Sequence, residues 1–257
     1  MSAERRGAPL ALTTDAWYTL YSISTAERRA LAERRRRIWA EPLLRHGCSR
    51  SEALALLARR DRWTRACEAR GKTPDLLEQA RQLGRWVGAP VDAVRLAGRL
   101  DRTLLRARFS AAPGAVRALR ALERDGVPVA LVSNVLNETG HAGRTILERL
   151  GLLPLLRAVV LSCEHPWAKP SPEPFRLAAS FLGTPVSRTA HLGDLAYDIE
   201  GARRAGLRAW WFVGLRRRNR YLPGQVGPGT VSRGDTVAAW SEVPPRFSRQ
   251  AAGRTPR

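Results

Sequence analysis

The sequence predicts an α/β fold: a doubly wound parallel sheet with an α-helical unit inserted after its first strand. Five short apolar runs, of the kind a buried parallel strand needs, occur at Leu10–Thr14, Val127–Val132, Ala158–Ser162, Ala190–Leu192 and Arg208–Val213. Helical patterns separate the last four, which is the rhythm of a parallel sheet covered on both faces. The interval between Thr14 and Val127 is far longer than one crossover requires, and from about Ser24 to Arg108 it is helical in pattern throughout.

Taken in order, the first run ends at Asp15. The interval then carries STAERRALAERRRRIWAEPLLRHG, SRSEALALLARRDRWTRACEARG, TPDLLEQARQLGRWVG and PVDAVRLAGRLDRTLLRARF. Each opens near a Ser, Thr or Pro suited to starting a helix, and each has Leu, Ala or Trp at helical spacing. No internal repeat links them, which disfavours a solenoid. Ala115–Asp125 (AVRALRALERD) repeats apolar residues at three and four and stops at Gly126; Gly143–Leu150, Pro174–Leu182 and Ile199–Ala205 follow, the last stopping at Gly206. The expected organisation is a core at 8–23 and 109–243, a helical insert at 24–108, and a basic, disordered tail at 244–257.

The chain has 257 residues, 44% of them hydrophobic, and a formal net charge of +21 from 44 Lys+Arg against 23 Asp+Glu. That content excludes disorder throughout, and the length allows a full core. No apolar run is long enough for a membrane span, and the first apolar stretch is too short for a signal peptide, so no membrane partner and a cytoplasmic location are expected. The charge invites a nucleic-acid reading. However, arginine occurs in every segment rather than in one stripe, and only Lys72 and Lys169 are lysines, so a coding bias explains the charge equally well; no nucleic-acid partner is expected. Arg34 to Arg37 are expected on a solvated helix face, and a second cluster lies at Arg216 to Arg218 with Arg220. Cys48, Cys67 and Cys163 fit neither a disulfide framework nor a zinc pattern, and His46, His141, His165 and His191 add no ligand spacing.

Ligands of an open parallel sheet sit beyond the carboxyl ends of its strands. The first run is followed by Asp15-Ala16-Trp17-Tyr18, the second by Ser133-Asn134, the third by a loop with Lys169-Pro170, and the fourth by Gly193-Asp194 with Asp198 four residues on. Singly, Asp15 or Ser133-Asn134 reads as a helix cap and Lys169 as a surface cation. Jointly, a carboxylate, a hydroxyl, a cation and a carboxylate pair converge on one edge.

These residues resemble the haloacid dehalogenase-like hydrolase superfamily through TTDAWYTL (13–20), LVSN (131–134), AKPSPEPF (168–175) and HLGDLAYDIEGARRAG (191–206). The resemblance implies a Rossmann-like core, with the insert in the position of that superfamily's helical cap. It implies that Asp15 is a nucleophile forming a covalent ester that water opens. Ser133 and Asn134 would bind the transferring group, and Lys169 would neutralise the charges that meet there. Mg²⁺ would be held by Asp15, Asp194 and the backbone carbonyl of Trp17, with Asp198 supporting the metal or Lys169.

One position departs from the phosphatase pattern. Phosphatases of the superfamily carry a second Asp two residues after the nucleophile as general acid and base; here Trp17 stands there, and Tyr18 replaces the usual Gly. Tyr18, His165 or a residue of the insert is left to act instead. Three readings follow: Mg²⁺-dependent dephosphorylation of a small phosphorylated metabolite, whose anionic substrate the insert would enclose; hydrolysis of a 2-haloacid, in which halide needs no proton to leave; and a non-catalytic protein that binds a ligand, a partner or nucleic acid.

Overall fold

A computed structural model describes residues 9–215 and 233–248. Its elements are β1 (Ala11–Thr14), β2 (Tyr21–Ser22), α1 (Thr25–Arg45), α2 (Arg50–Ala69), α3 (Leu76–Val87), α4 (Ala93–Leu105), β3 (Ser110–Ala111), α5 (Ala115–Arg124), β4 (Val129–Ser133), α6 (Gly140–Arg149), β5 (Ala158–Leu161), α7 (Glu173–Phe181), β6 (Thr189–Gly193), α8 (Ala196–Ala205), β7 (Arg208–Phe212), β8 (Thr236–Val237) and α9 (Pro245–Ser248).

The sheet runs β5-β4-β1-β6-β7-β8 with every pairing parallel. Thr14 of β1 is in register with Leu131 of β4 and Leu192 of β6. The residues just beyond those strands therefore emerge together at the sheet's centre. Successive strand residues point to opposite faces, so Leu12, Leu131 and Trp210 enter one core, and Ala11, Val132 and Trp211 enter the other with Phe175 and Ile199. Buried on both faces, β1, β4 and β6 need unbroken apolar or neutral sequence, which is why they read as continuous runs.

Helices α1 to α4 enclose a third core of their own, around Trp39, Leu43, Leu57, Leu83 and Leu100. Ser49 and Glu52 form a reciprocal capping box at the start of α2. The insert is tied to the sheet domain at several points. Thr139, which caps α6, donates its backbone N–H and its hydroxyl to Asp101 of α4, at 2.9 and 2.6 Å.

The structure adds elements the sequence did not announce. The two chain crossings into the insert pair as an antiparallel ladder, Tyr21 with Ala111 and Ser22 with Ser110. A sixth strand, β8, edges the sheet beside β7. The expected disorder from residue 244 is corrected at its start: α9 folds back, and Phe247 is buried edge-on to Trp210 at 5.5 Å because an aromatic ring there covers the apolar sheet face. The rest of the tail, and the Arg216 to Arg220 cluster, lie outside the described residues. Arg34, Arg36 and Arg37 pair with Glu27 and Glu33 on the solvated face of α1 as expected, but Arg35 turns inward to Glu138 at 2.7 Å. Among the described residues no helix is long and apolar enough to cross a membrane. All three cysteines are free thiols.

Candidate active site

Asp15 follows β1 directly, and its backbone N–H donates to Leu192 O at 2.9 Å. Lys169, only 4% exposed, reaches the same spot from the loop after β5. Its ammonium donates to Asp15 Oδ1 at 2.5 Å, to Asp198 Oδ1 at 2.7 Å and to the carbonyl of Val132 at 3.0 Å. All three of its donors are thus used. Burial alone would push this pKa down, but Asp15 and Asp198 override it and hold the ammonium charged, above the usual lysine range. A compact point charge on a flexible stem fits here, whereas a planar guanidinium would not meet these three acceptors, so one of the chain's two lysines stands among so many arginines.

Asp198 lies in the first turn of α8 and is fully buried. Its Oδ2 accepts from the backbone N–H of Leu195 at 2.9 Å, and its Oδ1, besides Lys169, lies 3.3 Å from His191 Nε2. Burial works to raise its pKa, but Lys169 and His191 outweigh burial and keep the carboxyl below the usual range. His191, in turn, is driven toward its neutral form by burial, with Thr13 Oγ1 at 2.9 Å from Nδ1 and the Phe175 ring edge-on at 4.8 Å. The close approach of α8 to β6 requires Gly193: a Cβ there would lie 2.2 Å from Asp198 Cγ.

Burial pushes the carboxyl of Asp15 up to about 6, with Lys169 opposing and Asp198 adding to the rise. Asp15, Asp194 and Asp198 can each bring a carboxylate oxygen within 4.8 Å of the others. Three hard oxygen donors in so small a space fit a divalent cation. Asp198 already has a donor on each of its oxygens, Lys169 Nζ and Leu195 N.

Ser133 closes β4 and is buried. Asn134 follows directly, and its side chain is turned to the Lys169 loop. Its Nδ2 donates to Lys169 O at 2.9 Å and its Oδ1 accepts from Lys169 N at 2.8 Å. The side-chain amide matches the donor and acceptor of the Lys169 peptide, so it clamps the loop that carries the ammonium.

Trp17 is half-buried, its ring edge-on to Tyr21 and Phe109 at 5.5 and 5.4 Å. The next residue, Tyr18, has φ +57°, left-handed backbone that only glycine adopts freely, and its N–H closes the turn onto Tyr21 O at 2.7 Å. The turn itself thus demands what the superfamily's Gly supplies. His165 stacks on Trp167, with ring centroids 6.2 Å apart.

One residue went unnoticed in the sequence. Glu68, in the last turn of α2, accepts from Asn134 Nδ2 at 3.4 Å. Burial raises its pKa, against the opposing pull of Asn134, Lys169 and Arg65. Just beyond it, Gly71 O accepts from Ala168 N at 2.8 Å, and a Cβ on Gly71 would stand 2.8 Å from Ser171 Cβ. The end of α2 is therefore seated on the loop that holds Lys169. Glu68 was hidden because nothing local in CEARGK marks contact with a loop about a hundred residues on.

The chain is similar to known proteins over this same architecture. It is 35% identical over 144 residues to a phosphoglycolate phosphatase of Cereibacter sphaeroides, covering 56% of this chain and 59% of that one. It is 30% identical over 120 residues to the pyrophosphatase PpaX of Halalkalibacterium halodurans, covering 47% and 54%. The chain thus spans little more than half the length of these relatives. Among solved structures, a 2-haloacid dehalogenase from Pseudomonas syringae pv. Tomato superposes with TM-score 0.63 at 20% identity over 93% of this chain and 98% of that one. An HAD phosphatase from Thermococcus onnurineus gives 0.60 at 17% identity over 95% and 97%. These two establish the fold alone. The sequence profile of the haloacid dehalogenase-like hydrolases matches residues 10–206, from the start of β1 to the end of α8, and the chain belongs to that family.

Proposed function

We propose that the chain is a phosphatase-type hydrolase that cleaves a small phosphorylated metabolite through an aspartyl intermediate. The observation that carries this reading is the buried Lys169 ammonium bonded at once to Asp15 and Asp198 beyond the central strands. The relatives named as phosphatases favour the same chemistry.

In this reading the free electron pair of an Asp15 oxygen attacks phosphorus and the bond to the leaving oxygen breaks. Water then attacks the acyl phosphate, releasing inorganic phosphate and restoring the carboxylate. Lys169 offsets the charge of Asp15 and of the incoming phosphoryl group, while Asp198 and Asn134 keep Lys169 in position. Ser133 offers a hydroxyl to a phosphoryl oxygen. Asp15, Asp194 and the backbone carbonyl of Trp17 would hold a divalent cation such as Mg²⁺, which when bound screens the two anions from each other.

Trp17 has no acidic group with which to protonate a leaving alkoxide. Glu68 is the carboxyl that the insert delivers to Asn134, and burial favours its protonated form, so in this reading it protonates the departing alkoxide and then takes back a proton from the water that attacks the acyl phosphate. Because it comes from the insert, the proton arrives only with the insert seated.

The test is a screen of phosphate esters with and without Mg²⁺ against wild type and Asp15→Asn. Turnover that needs Mg²⁺ and vanishes in Asp15→Asn is expected; unchanged turnover in that variant would sink the mechanism. The apolar packing of Trp17 favours a second reading, dehalogenation of a 2-haloacid, since halide leaves without a proton. That reading requires halide release that persists in EDTA.

A further inference from the structure

β6 is buried along its whole length, and a strand so placed is expected to be apolar. His191, in the middle of it, is fully buried, with the Phe175 ring of α7 edge-on at 4.8 Å. An imidazole there costs desolvation that a leucine or valine would not, unless its nitrogens are bonded.

Both are. Nε2 lies 3.3 Å from Asp198 Oδ1, and Nδ1 lies 2.9 Å from Thr13 Oγ1. The Asp198 carboxylate can only accept, and its Oδ1 already does so from Lys169 Nζ at 2.7 Å, so the hydrogen between it and the ring sits on Nε2. Burial keeps the ring neutral, which leaves Nδ1 bare. The Thr13 hydroxyl therefore donates to Nδ1 rather than to the carbonyl of Ala190, which is farther away at 3.2 Å. Hydrogen bonds run in one direction, from Thr13 through His191 to Asp198.

This support matters most at one stage of the proposed reaction. At rest, Lys169 is held by two carboxylates, Asp15 and Asp198. Once an Asp15 oxygen is bonded to phosphorus, the carboxylate charge is gone and a neutral acyl oxygen faces the ammonium. Asp198 is then the carboxylate that still holds Lys169, and it must do so with an oxygen that does not swing. Leu195 N fixes its Oδ2 at 2.9 Å, and the His191 N–H fixes Oδ1.

We infer that His191 is a positioning residue for the second half of the reaction: its Nε2–H keeps Asp198 aimed at Lys169 while the aspartyl phosphate waits for water. The role in turnover rests on the phosphoryl-transfer reading; the direction of the hydrogen bonds does not.

The experiment takes the full chain with Mg²⁺ and p-nitrophenyl phosphate, in wild type, His191→Asn, His191→Gln and Asp15→Asn. An Asn amide stands as far along the side chain as Nδ1, and a Gln amide as far as Nε2, so Asn should lose the Asp198 contact and Gln keep it. In His191→Asn, kcat and KM should fall together by about tenfold or more, with kcat/KM within about twofold of wild type, because only the step after release of p-nitrophenol is slowed. A burst of about one p-nitrophenol per chain should precede that slow phase. His191→Gln should recover kcat to within about threefold of wild type. A lower kcat at unchanged KM with no burst is what a loosened fold gives, and it overturns the role, as do unchanged kinetics in His191→Asn or a Gln variant as slow as Asn. Separately, the imidazole nitrogen NMR spectrum of wild type should show Nε2 protonated and Nδ1 bare; the opposite tautomer overturns the proposal without reference to turnover. No turnover by wild type, or undiminished turnover in Asp15→Asn, would instead remove the phosphoryl-transfer reading and the role within it, while the tautomer still decides the direction of the bonds.

Discussion

Buried cations in the core and in the insert are held on different terms. Lys169 donates to two carboxylates and a carbonyl, and one of those carboxylates, Asp198, is itself held by a backbone N–H and a histidine. Arg60 and Arg35 each have one carboxylate and leave a buried N–H unanswered. The first is a closed set whose members depend on one another, and in the second each guanidinium keeps one donor unpaired among the described residues. A buried charge is thus read less by its presence than by how completely its donors are used.

The largest expected effect tests the closed set. Lys169→Met strands Asp15 and Asp198 without a counter-charge, and should cost about 3–5 kcal/mol in urea denaturation together with all turnover. If it proves no more destabilising than Arg60→Leu, the contrast between the two regions fails.

The next tests whether the insert contributes chemistry. Glu68→Gln should lower turnover by about 10²–10⁴ with little change in stability. Burial raises the Glu68 pKa, and a general acid must be protonated, so wild-type turnover should fall as pH rises through that pKa. A pH–rate profile of Glu68→Gln should lack that limb; an unaltered limb assigns the proton elsewhere.

The smallest effect concerns the turn between the two regions. Tyr18→Gly relieves a left-handed φ and should raise stability by about 1 kcal/mol, read as an increase in melting temperature. A loss instead would mean that the Tyr18 ring contributes more than its backbone costs.

Much of the core was legible. Asp15, Ser133, Lys169, Gly193 and Asp194 follow apolar runs, and parallel pairing in register turns that order into proximity. Asp198 as a support of Lys169 was among the roles the resemblance implied, but the clamp of Asn134 on the Lys169 peptide was not, because it depends on which donor faces which acceptor across the site. The two-rung ladder of β2 and β3 and the edge strand β8 are too short to show alternation. Arg60 was indistinguishable from its neighbours in ARRDRW, since helical spacing says which residues share a face but not that a guanidinium will lie over Trp39. Arg35 was misplaced with Arg34, Arg36 and Arg37 for the same reason: a run of like charges reads as one face, although a helix turns each residue about 100° from the last.

The paired crossings of β2 and β3 have a mechanical consequence. Both covalent links between the insert and the sheet domain run through one narrow ribbon, while contacts such as Asp101 with Thr139 and Gly71 with Ala168 hold the insert from the side. Glu68 and Gly71 stand together at the C-terminal end of α2, where they meet Asn134 and Ala168. Lifting that end off the loop would part both contacts in one stroke, so the proposed proton donor keeps its place only while the insert keeps its own.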